Sequence, residues 1–525
     1  MKNRKYTFLM AIFCCAAVMF SSCNEWLDIT SDQEVLEEDA FASTKGYRSA
    51  LTGIYKTVAS ESLYGQELTW GLKSSLAWNY AVGTAIPKYR SPLQALQNGE
   101  TEFYTNGTIK NITENIWKKA YFAIANCNNL LQEIEGCTEQ FEYDWEKNMI
   151  MAEARGLRAL LHFELLQLFT PAPVTGYTGM AIPYVTKYPD LAPVRMSIDQ
   201  VLSNIIADLE YAQTTLAPID IDELREKSRF ISGTTRLDDM DYVMFQGVGN
   251  IHSDGGKRDN AFGDGFFAFR GYRFNYWSAT GLLAKVHSYM RNFEKAEPYA
   301  DQVISWVRDN QYWIHGDKSA DNQKVDTKNG ANKVDGKRRP EPILAFWNDK
   351  VCEDYLTETG STYNVMVDLQ YLFEGDETTD YRYTTLYDQD NKKYRVWDGQ
   401  DAAFTINTNV QKYSNPLIPV LEMPEIYYIK AECQAQAGKL TEAAATLKRI
   451  RDARDCTAPV TVTDMASFME KLVNEAERDF LTRGTTFGFL KKLGWDKIYN
   501  GTPTYQSVPD SWYVLPIPDS EAVYY

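Results

Sequence analysis

The sequence predicts a mostly α-helical fold with a few short strands. Apolar residues recur at every third or fourth position through long segments, which is the period of an amphipathic helix. The segments with this period are 117–134, 150–168, 198–216, 276–307, 423–454 and 465–493. With 525 residues, of which 44% are hydrophobic and 24% charged, the chain is long enough to bury a large core.

The clearest helix lies in segment 150–168. Its apolar stripe consists of Ile150, Ala154, Leu157, Leu161, Leu165 and Leu168. Pro171 follows the stripe and should end the helix, because proline lacks an amide donor and clashes with the preceding turn. Arg155 and Arg158 lie off the stripe, and Arg478 lies in a later helix. We expect these three arginines to bridge carboxylates on neighbouring helices.

Two segments 147 residues apart resemble each other. Ala284, Phe293, Ala296, Ala300 and Val303 fall on Ala431, Leu440, Ala443, Leu447 and Ile450. Each segment reads as helix, short polar turn and helix, with small residues where two helices must approach. That pattern is typical of a tetratricopeptide unit of about 34 residues.

The charge and the amino terminus restrict the function. The net charge is −17, which excludes nucleic-acid binding through phosphates as the main role. Lys2, Arg4 and Lys5 precede an apolar run, Phe8–Phe20, and then small residues, which is the order of an export signal. Residues 1–22 are the predicted signal peptide, and the net charge without them is −20. Residues 20–23 resemble a bacterial lipobox, so Cys23 is the predicted lipid-attachment site.

Motifs for metal or covalent chemistry are missing from the sequence. The five cysteines after Cys23 show no CxxC spacing, and HExxH, GxSxG and phosphate-loop patterns are absent. We therefore predict no cofactor and assign His162 and His287 to structural positions. Asp254, Asp259 and Asp264 raise the alternative of a calcium site. Their spacing is not that of an EF-hand, and solvated loop carboxylates are the favoured interpretation.

The predicted organisation has four parts. After the signal peptide, residues 23–225 form a helical amino-terminal domain. Residues 226–275 form a loop segment rich in Gly, Asp and Phe, and residues 276–525 form a carboxyl-terminal domain with the repeat-like helices. The apolar tail 512–518, which contains two prolines, is expected to pack back on the body.

Short motifs spread over the chain resemble the SusD/RagB family of nutrient-uptake outer-membrane lipoproteins of the Bacteroidetes. They are Cys23–Asp28, Trp117–Asn128, Ala152–Ala159, Ile182–Pro183, Ala207–Ala212, Leu421–Glu432, Glu477–Phe480 and Leu515–Pro518. Each motif is weak alone, but their order and spacing are specific.

The resemblance implies a SusD-like fold, in which tetratricopeptide-like helix pairs support a loop-rich ligand-binding face. It also implies a partner, a SusC-like TonB-dependent outer-membrane barrel, and a lipid-anchored, surface-exposed location. The implied function is capture of an oligosaccharide without catalysis. The alternatives are a peptide ligand, as in the RagB-like branch, an exported hydrolase, or a pure protein scaffold.

The predicted ligand site rests on aromatic and polar side chains. Sugar rings present apolar faces that Trp and Tyr cover, and hydroxyls that polar side chains bond. The predicted ligand-binding residues are Trp70, Trp78, Asn79, Tyr80, Tyr89 and Trp313. For Trp70 and Trp78, core packing is the competing interpretation. Lys88 and Arg90 lie in the same segment.

Overall fold

The structure is a computed structural model that describes residues 40–83, 86–97, 103–223, 265–267, 270–305, 341–359, 366–397 and 416–522. The chain divides between Tyr47 and Arg48 into two compact units. The described part of the first unit contains the start of helix α1. The second unit, which begins at Arg48, contains the rest of α1 and all later helices and strands. The predicted borders at 225 and 276 remain predictions.

The described residues are mostly helical, as predicted. The helices are α1 Thr44–Val58, α2 Leu72–Leu76, α3 Pro87–Gln97, α4 Gly107–Glu135, α5 Glu146–Phe169, α6 Ile198–Ala217, α7 Tyr276–Tyr289, α8 Phe293–Ser305, α9 Val351–Thr359, α10 Tyr381–Thr384, α11 Met423–Gln436, α12 Leu440–Ala453, α13 Met465–Asp479, α14 Thr485–Leu493 and α15 Asp519–Ala522. All six segments with a helical period fall on these helices, and α5 ends just before Pro171.

Short strands in the described residues form four separate antiparallel pairs. The strands are β1 Met180–Pro183, β2 Arg195–Ser197, β3 Pro342–Trp347, β4 Tyr387–Asp388, β5 Lys393–Tyr394, β6 Leu417–Glu422, β7 Lys497–Ile498 and β8 Gln506–Ser507. The pairs are β1 with β2, β3 with β6, β4 with β5, and β7 with β8. The pair of β3 and β6 is the longest, and it is buried except for Trp347.

Consecutive helices pack against each other in a continuous series. Helix α5 packs between α4 and α6, and α6 packs on α7. The two repeat-like segments are the helix pairs α7 with α8 and α11 with α12, as their shared pattern predicts. Helix α8 also packs on α11, so the two pairs are neighbours although 147 positions separate their patterns.

Close packing explains one glycine of the motif Ala152–Ala159. A Cβ atom at Gly156 would lie 2.1 Å from a ring carbon of Phe274. Because real side-chain atoms cannot approach so closely, α5 needs glycine at this position. Arg270, four residues before Phe274, bonds Asp220 and Glu153 and so fixes this part of the chain against α5.

Buried ion pairs bridge neighbouring helices, as predicted, for one of the three arginines. Arg158 on α5 donates two hydrogen bonds of 2.8 Å to Asp208 on α6. Arg478 on α13 also bonds a carboxylate, Asp376, at 2.8 Å, but Asp376 lies in the turn before α10 rather than on a neighbouring helix. The expectation for Arg155 is wrong, because its guanidinium lies 3.9 Å from the ring centre of Tyr211 rather than on a carboxylate.

The carboxyl-terminal tail packs on the body, as predicted. The backbone amide of Leu515 donates to the carbonyl of Leu168 at 2.8 Å. The indole Nε1 of Trp512 donates to the carbonyl of Leu76 at 3.1 Å. These bonds attach the tail to α5 and α2.

Two further observations concern the cysteines and the hydropathy of the helices. The five cysteines in the described part of the chain are free thiols, and Cys127 and Cys433 are buried. Within the same residues, every helix is too short or too polar to span a bilayer.

Candidate functional site

The predicted ligand-binding aromatics lie in the core. Trp70, Trp78, Asn79, Tyr80 and Tyr89 are all buried. In this conformation protein atoms cover the four aromatic rings, so these rings cannot stack on a sugar, and the Asn79 amide is equally buried.

The polar atoms of these buried side chains have partners within the chain. The indole Nε1 of Trp70 donates to the Gly65 carbonyl at 3.0 Å, and the Tyr80 hydroxyl donates to the Trp70 carbonyl at 2.5 Å. The Tyr89 hydroxyl donates to Glu67. These bonds and their burial give the side chains of segment 65–89 a structural role in the core.

Other predicted site residues fall outside the described part of the chain. They are Cys23, Trp313 and the calcium alternative Asp254, Asp259 and Asp264. Among the described residues, no group of three or more His, Cys, Asp or Glu side chains is placed to hold a metal ion.

An open cleft lies between α13 and the chain around β7 and β8. Its volume is about 310 Å³, at the lower end of the range for small-molecule sites. The lining residues are Tyr371, Leu372, Glu374, Glu470, Lys471, Val473, Asn474, Arg478, Trp495, Lys497, Pro503 and Tyr505. The cleft therefore combines three aromatic rings with an amide and side chains of both charges.

The aromatic side chains of the cleft differ from those of segment 70–89 in their exposure. Tyr371 is 43% exposed, and Trp495 and Tyr505 are half-buried. The Tyr505 ring meets the Tyr499 ring edge-on, with centres 5.4 Å apart. The Tyr499 hydroxyl in turn donates to the Asp368 carbonyl at 2.5 Å. These contacts support Tyr505 from behind.

Tyr505 has a backbone conformation that is rare for a bulky residue. Its φ is +45°, in the left-handed region, and such strain persists only where the surrounding structure enforces it. The Asn474 side chain interacts with the Tyr505 hydroxyl. Burial raises the pKa of Tyr505 to about 12, so the phenol is neutral and can both donate and accept hydrogen bonds.

The floor of the cleft is rigid. Leu372, Val473 and Arg478 are buried there. The Arg478 Nε donates to the Leu372 carbonyl at 2.8 Å, and the Asn474 amide donates to the same carbonyl at 3.0 Å. Because Arg478 is also paired with Asp376, its charge is compensated within the protein.

The rim carries four exposed charges. Glu374, Glu470, Lys471 and Lys497 form no ion pair within the described residues. Two are acidic and two are basic, so the rim has no net charge, in contrast to the net charge of −17 on the whole chain. Charged side chains without protein partners keep their hydrogen-bonding capacity for solvent or a ligand.

Behind the cleft lies a buried carboxyl group. The backbone amide of Tyr499 donates to Glu477 at 3.2 Å, and the other carboxyl oxygen has no partner in the described structure. Burial raises the pKa of Glu477 to about 8, because no cation compensates the charged form. Glu477 therefore holds its proton at neutral pH.

His162 and His287 occupy structural positions, as the sequence predicts. Both are buried. The two ring nitrogens of His162 are taken up by the Arg158 carbonyl, at 2.9 Å, and by the Val185 amide, at 3.0 Å. Burial lowers the pKa of His162 to about 3 and that of His287 to about 4, so both imidazoles are neutral.

Sequence comparison finds a family match for the amino-terminal part of the chain. Residues 25–230 match a SusD-like family model described as "Starch-binding associating with outer membrane". A SusD-like protein, P25, of Formosa agariphila is 28% identical over 233 residues. That match covers 42% of this chain and 39% of the relative, so the chain spans well under half the length of this relative.

Structure comparison extends the likeness to nearly the whole chain. A SusD superfamily protein from Bacteroides fragilis aligns with a TM-score of 0.63 and 17% identity, covering 93% of this chain and 99% of that one. A SusD-like carbohydrate-binding protein from Bacteroides vulgatus aligns with a TM-score of 0.61 and 17% identity, covering 92% and 96%. The chain therefore has the fold of the SusD superfamily structures, and its residues 25–230 match a SusD-like family model.

These comparisons confirm the resemblance to SusD-like proteins that the short motifs indicated. They also confirm the predicted mostly helical, SusD-like fold. The cleft is built entirely from residues 371–505, outside the segment 25–230 that the family model matches. The family match therefore says nothing about the cleft.

Proposed function

We propose that this protein is a cell-surface lipoprotein that captures an oligosaccharide and passes it to a SusC-like TonB-dependent barrel. The match of residues 25–230 to the model described as starch-binding and associated with the outer membrane carries the proposal. The carbohydrate-binding description of the Bacteroides vulgatus protein with the same fold supports it.

Membrane attachment in this proposal depends on Cys23. The basic start, the apolar run Phe8–Phe20 and the small residues before Cys23 match the order of a lipoprotein signal. Acyl chains contribute roughly 0.8 kcal/mol per buried CH₂, so several chains on one residue hold a protein firmly to a membrane. With a net charge of −20 after removal of residues 1–22, attraction to anionic head groups adds nothing.

The proposed protein binds its ligand without reacting with it. The two histidines of the described structure are buried and neutral, and both ring nitrogens of His162 are engaged with backbone groups. Neither suits the role of a general base, which must reach the substrate and exchange a proton near neutral pH. Delivery to a transporter also requires release of an intact ligand.

Calorimetry with the full-length protein in detergent tests the ligand class. The panel contains neutral oligosaccharides, acidic oligosaccharides and a mixture of tryptic peptides. Saturable binding of an oligosaccharide is the expected result. Binding of peptides alone would replace the oligosaccharide proposal with the RagB-like alternative. The absence of binding to any probe would leave the scaffold interpretation in its place.

Affinity capture tests the partner. Tagged protein is purified from detergent-solubilised outer membranes of the source bacterium and the co-purifying proteins are identified by mass spectrometry. The expected partner is a TonB-dependent β-barrel in near-equal amount. Recovery of the tagged protein without any β-barrel partner, under detergent conditions that preserve membrane complexes, would contradict the transfer step.

A further inference from the structure

We infer that the cleft between α13 and the β7–β8 region is a binding site for an uncharged sugar ring. The inference rests on the proposed oligosaccharide-binding function and states where on the protein the oligosaccharide binds. It uses none of the aromatic residues that the sequence nominated.

The shape of the cleft suits a saccharide. The volume of about 310 Å³ is open to solvent on one side, as a site for a chain that continues beyond the cleft must be. Tyr371, Trp495 and Tyr505 come from three separated segments and line this one space. Aromatic faces cover the apolar C–H faces of sugar rings, and these three are the open aromatic surfaces of the cleft.

The polar groups suit hydroxyl recognition. Asn474 and the neutral Tyr505 phenol can donate and accept, which matches the dual character of a sugar hydroxyl. The Asn474 amide is held by the Leu372 carbonyl at 3.0 Å and Tyr505 is backed by Tyr499. Because these groups are fixed before the ligand arrives, less conformational entropy is lost on binding.

The charge balance selects a neutral ligand. Lys471 and Lys497 are matched by Glu374 and Glu470 on the rim, and Arg478 is compensated by Asp376 on the floor. An acidic sugar would therefore find no surplus of positive charge to offset its desolvation. The charged rim side chains remain able to bond hydroxyl groups.

The strands beside the cleft argue against an extended peptide. Peptides that bind along a sheet edge use a run of main-chain hydrogen bonds. Strands β7 and β8 contain two residues each, which is too short for such a run. The cleft therefore offers side chains rather than a strand edge.

The test compares cleft variants with a matched surface variant. Tyr371→Ala removes an exposed ring at little risk to folding, and Trp495→Phe keeps a ring but removes an indole. Phe122→Ala is the control, because Phe122 is 55% exposed on α4 and does not line the cleft. Calorimetry of the full-length variants uses maltoheptaose, laminarihexaose, an oligogalacturonate and tryptic peptides.

The expected result is binding of a neutral oligosaccharide that Tyr371→Ala weakens about tenfold and Phe122→Ala leaves unchanged. Trp495→Phe should abolish the ligand-induced change in tryptophan fluorescence while keeping most of the affinity. Wild-type affinity in Tyr371→Ala together with an unchanged fluorescence response in Trp495→Phe would overturn the cleft assignment and leave the proposed function standing.

Two further outcomes would overturn the inference in other ways. Selective binding of the oligogalacturonate or of peptides, lost in Tyr371→Ala, would place a ligand in the cleft but contradict its neutral-sugar chemistry. Failure of the wild-type protein to bind any oligosaccharide would remove the proposed function and the inference with it.

Discussion

The side-chain oxygen of Asn79 accepts a hydrogen bond of 2.9 Å from the backbone amide of Thr482, 403 positions away in the sequence. Both residues are buried, so this bond satisfies an amide that water cannot reach. The bond links the segment before α4 to the turn between α13 and α14.

Asn79→Ala should therefore destabilise the protein. The substitution leaves the Thr482 amide buried without an acceptor, which costs about 1–3 kcal/mol of the free energy of unfolding. Urea unfolding measures the loss. Thr138→Ala, at an exposed position, is the control and should change stability by less than about 0.5 kcal/mol. Unchanged stability of Asn79→Ala with a loss of glycan affinity would reinstate Asn79 as a ligand residue.

The buried pair Arg158–Asp208 should show strong coupling. Arg158→Met leaves the buried Asp208 carboxylate without its cation, at a cost of about 3–5 kcal/mol. The double variant Arg158→Met/Asp208→Leu should lose much less than the sum of the two single variants, because it removes both charges. A double-mutant cycle in urea measures the coupling energy.

The exposed pair Lys448–Asp452 is the matched control for that cycle. It is also a Lys/Arg–carboxylate pair at hydrogen-bond distance, 2.7 Å, but both side chains face solvent. Its coupling should be below about 1 kcal/mol, because water screens the charges. Equal coupling in the two pairs would show that burial does not govern the strength of Arg158–Asp208.

The Glu477 carboxyl makes stability depend on pH. Its pKa is about 8 in the folded protein, above the ordinary value of 4.5, so the folded state holds the proton more tightly. This contribution to stability is fully present below pH 4.5 and is lost as the pH rises through 8. Glu477→Gln resembles the protonated carboxyl and does not titrate. As the pH rises from 4.5 to 8.5, its free energy of unfolding should therefore increase relative to that of the wild type by a few kcal/mol.

Urea unfolding of both proteins across this pH range measures the difference. The control Glu442→Gln alters an exposed carboxylate on α12 and should follow the wild-type curve. Parallel curves for Glu477→Gln and the wild type would mean that Glu477 has an ordinary pKa in the folded state.

Membrane attachment should depend on one thiol. Cys23→Ala removes the proposed lipid site, and the variant should move from the membrane fraction to the soluble fraction on cell fractionation. Cys137→Ala, which changes a half-buried cysteine of the folded body, should stay with the membrane. Firm membrane association of Cys23→Ala would contradict the lipoprotein proposal.

Local sequence patterns were sufficient to predict helices α4–α8 and α11–α14. The stripe of α5 and the shared pattern of α7–α8 and α11–α12 follow from side-chain period alone, and the structure has helices at those places. Arg158 and Arg478 could also be assigned, because an arginine beside an apolar helical stripe needs a carboxylate within reach. Arg155 instead packs on the ring of Tyr211. The sequence does not show whether an arginine at this position will contact a ring or a carboxylate.

The fate of the aromatic residues depends on contacts that are distant in sequence. Trp70 and Asn79 read as a ligand platform, but their burial is set by partners such as Thr482. The cleft shows the reverse: four short segments between 371 and 505 supply its lining, and among its lining residues only Arg478 belongs to a motif that was recognised in the sequence. Only the folded chain brings Tyr371, Trp495 and Tyr505 together.

The most direct test of the account is to follow the ligand as well as the protein. The full-length protein is titrated with the oligosaccharide that it binds best in the panel, and the ligand is then recovered and examined by chromatography and mass spectrometry. The account predicts saturable binding and quantitative recovery of the intact oligosaccharide after prolonged incubation. Shortened products that accumulate with time and protein concentration would contradict the central claim of a non-catalytic nutrient-binding protein.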